Sequence, residues 1–289
     1  RKTYLYTSEK IDGPWKKQLI EGFYHDASLL FDEDGRNYIV YGNDEIWITE
    51  LNEDLTAPKK DGLHRLLVSD HKNPELGYEG SHIQKINGYY YIFLIHSLRD
   101  RWMRTEACFY SDSLEGEFTG GDVLCDDRGY CGQGVAQGGI VDTPDGKWYA
   151  MLFQDSGAVG RIPILLPVTW KDHFPVFGQN GHVPEEIEVH STRPGYIYQP
   201  LVGSDDFCNG LLPRWQFNHD PDPRYYHLDA LQGTYTITTR EVCTELTQAV
   251  NTLTQRMSYP SCAAEVTVDA SALKEGDVAG LCALQSCYA

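Results

Sequence analysis

A strand–turn–strand unit that recurs about every 55 residues is the feature that most restricts how this chain can fold. Asp-Gly or Asn-Gly separates two apolar, strand-like runs in the segments 28–41, 82–93 and 139–152. These dipeptides favour the positive φ angles of a tight hairpin turn. The turn glycines Gly35, Gly88 and Gly146 are 53 and 58 residues apart. Repeats of this length, built from short antiparallel strands, are typical of β-propeller blades, so we predict an all-β fold with few helices.

The repeat ends near Gly178, and the sequence changes in character there. We predict a propeller over 1–180, a linker rich in Pro, Gly and Glu over 181–203, and a β-sandwich over 204–289. Alternating polar and apolar residues predict sandwich strands at Thr234–Thr239 and Ala264–Asp269.

Both ends of the chain interrupt these patterns. The sequence opens at Arg1 inside a strand-like run and ends at Ala289 directly after an apolar one. We therefore expect the first blade to be largely missing, the sandwich to be incomplete and both termini to be truncated. A signal peptide upstream of Arg1 would not be seen.

Composition limits the partners. The 24 Lys and Arg against 42 Asp and Glu give a net charge of −18, which disfavours nucleic acid and anionic membranes but not a small neutral sugar. No apolar stretch is long enough to span a bilayer. Eight cysteines without a CxxC pair predict mostly free, buried thiols and slightly favour the cytoplasm. Nothing in the sequence indicates an oligomeric state.

Counting back from the turn glycines aligns two carboxylic acids. Asp26, Glu79 and Gln137 each lie nine residues before their glycine. Equivalent positions at the start of inner propeller strands meet at one mouth of the central channel, so the two carboxyl groups should lie roughly 4–7 Å apart.

Paired carboxylic acids suit cleavage of a glycosidic bond. One acid must stay protonated near neutral pH to protonate the leaving oxygen, and a neighbouring carboxylate raises the pKa of such an acid. The alternative is that both acids merely cap strands or turns.

Several long motifs recur in one known family of enzymes. They are His25-Asp-Ala-Ser28, Tyr78-Glu-Gly-Ser-His82, Gly138-Gly-Ile-Val-Asp-Thr-Pro-Asp-Gly-Lys-Trp148, Gly160-Arg161 and Pro175-Val-Phe-Gly178. These motifs resemble glycoside hydrolase family 43, which holds β-xylosidases and α-L-arabinofuranosidases on a five-bladed propeller. Asp205-Asp-Phe207, Trp215-Gln-Phe-Asn-His219 and Gly276-Asp-Val-Ala-Gly280 resemble the family's C-terminal concanavalin-like sandwich.

The resemblance implies a role for each matching residue. Glu79 matches the general acid, Asp26 the aspartate that modulates the acid's pKa and orients it, and Arg161 the arginine that binds the sugar. His25, His82 and Gln137 complete the expected sugar-binding set.

The implied reaction is inverting, exo-acting release of xylose or arabinofuranose from hemicellulose oligosaccharides. The family's general base lies on the first blade, so we expect this chain alone to be inactive.

No cofactor is expected, and the resemblance leaves a central calcium as a disfavoured alternative. Many members of the family have a histidine just before the Gln-Gly-Gly, associated with a central cation or water, and this chain has Ala136 there. A loop acid such as Asp142 or Asp155 could replace the base, and a non-catalytic carbohydrate-binding protein is the rival interpretation.

Two further sets of side chains are open to a binding or a structural interpretation. One is a basic cluster that either lines the cleft or lies in a solvated loop, namely Arg99, Arg101 and Arg104. The other consists of tryptophans that either stack on sugar or pack the sheets, namely Trp47, Trp102, Trp148 and Trp170.

Overall fold

We describe a computed structural model of the chain. The residues described are 1–189, 191, 193–218, 220–258 and 261–284. They form two units, Arg1–Val189 and a second from residue 190 onward. The all-β prediction is confirmed, since the only helical segments in these ranges are the 3₁₀ turns Gly157–Val159 and Leu246–Gln248.

The first unit consists of a short hairpin followed by three four-stranded sheets. The hairpin pairs β1 (Thr3–Thr7) with β2 (Lys16–Ile20). The first sheet contains β3 (Ser28–Phe31), β4 (Asn37–Asn43), β5 (Glu45–Leu51) and β6 (His64–Ser69). The second contains β7 (Glu79–Ile86), β8 (Tyr89–Ser97), β9 (Arg104–Ser111) and β10 (Thr119–Leu124). The third contains β11 (Ala136–Asp142), β12 (Trp148–Asp155), β13 (Arg161–Lys171) and β14 (Phe174–Phe177).

Each four-stranded sheet is an antiparallel meander that begins with one of the hairpins predicted from the sequence. The turns are not alike. Asn87 and Gly88 form a two-residue turn with φ angles of 51° and 85°, as expected for Asn-Gly. Gly35 and Gly146 instead lie in the five-residue loops 32–36 and 143–147.

Hydrogen bonds between sheets fix their first strands side by side. Ser28 Oγ accepts a hydrogen bond from the amide of Ile83, and Gln84 Nε2 donates to the carbonyl of Ile140. One apolar core fills the space between the first and second sheets, and another lies between the second and third. This packing places the starts of β3, β7 and β11 at one end of the unit.

The second unit contains two short ladders, β15 (Gln216–Phe217) with β18 (Leu253–Thr254) and β16 (Tyr226–Asp229) with β17 (Thr234–Ile237). The strand predicted at 234–239 is thus present. The strand prediction for 264–269 is wrong, because this exposed segment pairs with no other strand among the described residues, and a strand needs such a partner.

The described cysteines are free, as predicted, but most are not buried. Of the seven, only Cys108 is buried, and Cys287 lies outside the described residues. No helix in the described part of the chain has the length and apolar character that crossing a membrane requires.

Candidate active site

Asp26 and Glu79 meet where the first two sheets begin. Asp26 lies two residues before β3, and Glu79 is the first residue of β7. A carboxylate oxygen of each and a ring nitrogen of His25 all lie within 4.8 Å of one another. The predicted proximity of the two acids is therefore confirmed. The packing of neighbouring sheets brings together two residues that are far apart in sequence.

The register shows, however, that Asp26 and Glu79 are not equivalent residues. The amide of Gly42 donates to the carbonyl of His25, and Ser28 pairs with Val40, so β3 is preceded by a bulge. β7 has the same irregularity, with Glu79 opposite Ile95.

In the third sheet, Ala136 lies opposite Phe153 with the same shift. Glu79 therefore corresponds to His25 and Ala136, whereas Asp26 corresponds to Gly80 and Gln137. Our nine-residue count is one position off in the second sheet, because its two-residue turn brings the glycine two positions earlier while the strand before it is one residue longer.

The residue at the bulge has a positive φ in all three sheets, namely 44° at Asp26, 66° at Gly80 and 65° at Gln137. A β-bulge redirects the side chains next to it, here at the mouth of the unit. A Cβ at position 80 would lie 2.7 Å from the Nε2 and Cγ atoms of Gln137, so the Gln137 side chain occupies the space that this glycine leaves. Gln137 thus packs against the residue that directly follows Glu79.

Two side chains of the first sheet contact the carboxylate of Glu79. Asn43 donates from Nδ2 to Oε2 over 2.7 Å, and His25 Nε2 lies 3.4 Å from the same oxygen. His25 also lies 3.8 Å from Asp26. Sequence analysis missed Asn43, whose only signal is its position at the end of β4, next to the start of β3.

His82 lies three residues after Glu79 on the same inner strand, β7. Gly139 leaves room for it, since a Cβ there would lie 3.3 Å from His82 Nδ1. Solvent reaches the ring, but the surrounding protein displaces enough water to lower the pKa of His82 below its ordinary 6.5. The imidazole is therefore suited to hydrogen bonding in its neutral form.

Glu106 is a second site residue that sequence analysis missed. It lies on β9, is fully buried, and accepts a 2.6 Å hydrogen bond from the backbone amide of Gln137. Its other oxygen has no hydrogen-bond partner among the described residues. Burial raises the pKa of Glu106 well above its ordinary 4.5, against the lowering effects of that amide and of Arg104. Burial thus favours the neutral form of this carboxyl group.

Arg161 begins β13, and its exposed side chain lies 3.2 Å from Asp155. The basic cluster predicted from the sequence is divided. Arg99 pairs with Asp70 outside the acid pair, and Arg101 pairs with neighbouring Asp100 in solvent. Arg104 is instead 4% exposed, pairs with Asp155 and interacts electrostatically with Glu79.

The tryptophans divide in a similar way. Trp47 stacks on His64, and Trp148 packs edge-on against Trp170 beside the second core, so these three have structural roles. Trp102 is 40% exposed in the loop before β9.

Within the described ranges, His25, Asp26 and Glu79 are the one group of side chains close enough to hold a metal ion. Asn43 already directs an N–H at the carboxylate of Glu79, a contact that orients an acid and competes with a cation. Ala136 is fully buried and supplies no ligand atom.

Comparison with known families decides the assignment. The sequence profile of the family described as "Glycosyl hydrolases family 43" matches residues 1–175, more than half of the chain. The chain belongs to glycoside hydrolase family 43. The profile of the "Beta xylosidase C-terminal Concanavalin A-like domain" matches residues 204–289 of this family 43 chain.

Relatives agree with this assignment. "Xylosidase/arabinosidase 43B" of Humicola insolens is 26% identical over 311 residues, covering 99% of this chain and 56% of the relative. "Beta-xylosidase" of Formosa agariphila is 27% identical over 267 residues, covering 78% of this chain and 44% of the relative. The family 43 chain thus spans about half the length of these curated relatives.

Solved structures give the same result. A bifunctional GH43-CE protein of Bacteroides eggerthii superposes with a TM-score of 0.76 at 42% identity, covering 90% of this chain and 34% of the other. A mutant of the family 43 protein BlXynB of Bacillus licheniformis superposes with a TM-score of 0.71 at 23% identity, covering 88% and 51%. The three four-stranded sheets are therefore blades of a β-propeller.

Proposed function

We propose that this protein is an exo-acting glycosidase that releases xylose or arabinofuranose from hemicellulose-derived oligosaccharides with inversion. Glu79 donates a proton to the glycosidic oxygen as the bond breaks. Asp26 orients the acid and modulates its acidity, and Arg161, His25, His82 and Gln137 bind the sugar. No cofactor is needed for this chemistry, and the partner is a small neutral sugar.

The observation that carries the proposal is the placement of Glu79 within a polar set. The side chain of Glu79 is 21% exposed, and its carboxyl group contacts Asn43 and His25 and lies beside the carboxyl group of Asp26. A general acid must be held within hydrogen-bond reach of the atom it protonates, and such placement contributes strongly to rate. Family membership and the names of the relatives support the substrate class.

The residue that activates water is not one of this pair. An inverting enzyme needs its two carboxyl groups about 6.5–9.5 Å apart so that a water molecule fits between base and sugar. The oxygens of Asp26 and Glu79 lie within 4.8 Å, which leaves too little room.

The two loop acids considered as replacements do not fit that role. Both oxygens of Asp155 are engaged by guanidinium groups, and Asp142 is exposed at the end of β11 away from the mouth. We therefore propose that the 289-residue chain binds pentosides without turning them over.

Parallel assays test this proposal. The 289-residue chain and the product of the complete gene are each assayed with 4-nitrophenyl β-xyloside and α-L-arabinofuranoside, and sugar binding is followed by calorimetry. We expect turnover of at least one pentoside by the complete gene product, and binding alone by the 289-residue chain. Turnover by the chain within about tenfold of the gene product would show that the base lies within these residues.

A non-catalytic carbohydrate-binding protein is the second candidate. The close spacing of Asp26 and Glu79 favours it, because such a pair can bind sugar hydroxyl groups without cleaving the bond. Binding without turnover by the complete gene product would support this alternative.

A further inference from the structure

Asp155 lies at the end of β12, where the chain turns back into β13. The two strands pair Asp155 directly with Arg161, and the Ser156 amide donates to the Gly160 carbonyl to close the turn. The backbone therefore places these two residues directly opposite each other at the end of the hairpin.

Each oxygen of Asp155 contacts a different arginine. Oδ1 lies 3.2 Å from Arg161 Nε, and Oδ2 accepts a hydrogen bond from Arg104 Nη1. The guanidinium carbons of Arg161 and Arg104 lie 4.4 and 5.0 Å from the centre of the Phe153 ring. A carboxylate and one aromatic ring thus hold both cations.

The two arginines differ in exposure, and the difference gives Asp155 its importance. Arg104 is 4% exposed, and burial lowers its pKa, opposed by Asp155 and Glu79 and reinforced by Arg161. A buried cation needs a counter-charge, and a second cation nearby increases that need. Without Asp155, Arg104 and Arg161 would repel each other beside the acid pair.

Arg161, in contrast to Arg104, is exposed to solvent over 61% of its side chain. Asp155 engages its Nε and leaves the terminal nitrogens of the guanidinium open to a ligand. Arg161 is thus bound to Asp155 through Nε and can present its terminal N–H groups to sugar hydroxyl groups.

Resting on the proposed function, we propose that Asp155 is a positioning residue that holds Arg161 in its sugar-binding orientation and joins it to Arg104, so that substrate affinity depends on Asp155. It acts through Arg161 and does not touch the reacting atoms. The joined set spans β9 of the second sheet and β12 and β13 of the third. It therefore couples two blades at the mouth that holds Glu79.

Kinetics of the complete gene product test this role with the variants Asp155→Asn and Arg161→Ala. Asp155→Asn should raise KM about tenfold or more while kcat falls less, since a lost charge-assisted contact weakens binding. In the double variant, Asp155→Asn should add little to the KM of Arg161→Ala, because both act through one contact. Asp145→Asn, which breaks the exposed pair with Lys147 at the far end of the same sheet, should leave KM unchanged.

A second measurement does not depend on activity. In ¹H–¹⁵N spectra, the Arg161 Nε–H signal (assigned with Arg161→Lys) should be protected from exchange in the wild type and lose protection in Asp155→Asn but not in Asp145→Asn. An unchanged KM in a folded Asp155→Asn variant would overturn the inference. So would a double variant in which the increases in KM of the two single variants multiply, or a wild-type Arg161 Nε–H signal that is not protected from exchange. If the wild type cleaves neither pentoside, the proposed function fails, and the exchange measurement still decides the role of Asp155.

Discussion

His25 and Glu79 are 54 residues apart in sequence, yet His25 Nε2 lies 3.4 Å from Glu79 Oε2. They meet because both occupy the position before the bulge, each in its own blade. Asn43, from the same blade as His25, contacts the same oxygen. The acid of the second blade is thus oriented by side chains of the first.

Asn43→Ala in the complete gene product should lower kcat on the cleaved nitrophenyl pentoside about tenfold with KM within about twofold. The acid loses the hydrogen bond that fixes its carboxyl group, while sugar contacts remain. Thermal unfolding should change little, because Asn43 is exposed. Asn37→Ala, at the opposite end of β4, is the control and should leave kcat unchanged. A normal kcat in Asn43→Ala would remove Asn43 from the site.

Asp26→Asn should lower kcat about 10²- to 10⁴-fold, because the acid loses its charged neighbour. Asp34→Asn, which changes an exposed carboxylate that contacts the side chain and the backbone amide of Arg36, is the matched control.

Proton NMR of the first sugar released by the wild type should show the inverted anomer. Retention would point to Asp26 as a nucleophile, since retaining enzymes place their carboxyl groups about 5–5.5 Å apart.

Glu106 should make stability depend on pH. Above pH 4.5 the unfolded side chain loses its proton, whereas the folded one keeps it because burial raises its pKa. This difference destabilises the fold increasingly as pH rises towards the folded pKa. Glu106→Gln should therefore match the wild-type Tm near pH 4.5 and exceed it at pH 8. The increase in Tm should be about 2–4 °C for each kcal/mol gained in the free energy of unfolding.

The control for this variant is Glu117→Gln, an exposed change of the same kind, which should show no such trend. Calorimetry of the 289-residue chain across this pH range provides the measurement. A constant difference in Tm between Glu106→Gln and the wild type at all pH values would mean that Glu106 titrates normally.

Much of the propeller could be predicted from local sequence, because Asp-Gly and Asn-Gly turns report on hairpins directly. The hairpins around Gly35, Gly88 and Gly146 are all present. Exact equivalence between blades could not be predicted, since a turn glycine does not reveal whether its loop has two or five residues. That one-residue error moved Glu79 from the position of His25 to that of Asp26.

The remaining parts of the site depend on contacts between blades. Asn43 and Glu106 carry no motif, and each becomes visible only once neighbouring strands are packed. Arg104 lies three residues after the solvated Arg101, but it is buried and pairs with Asp155. The predicted strand at 264–269 failed for a related reason, because alternation alone does not supply a pairing partner.

The most direct test of the central claim, that Glu79 is the general acid, compares two leaving groups in Glu79→Gln of the complete gene product. Cleavage of an unactivated disaccharide such as xylobiose needs a proton on the leaving oxygen, whereas a 2,4-dinitrophenyl glycoside of the same sugar does not. We predict a loss in kcat/KM of about 10²- to 10⁴-fold on the disaccharide and a rate within about tenfold of wild type on the dinitrophenyl glycoside. Equal losses on both substrates, or no loss on either, would contradict the assignment of Glu79.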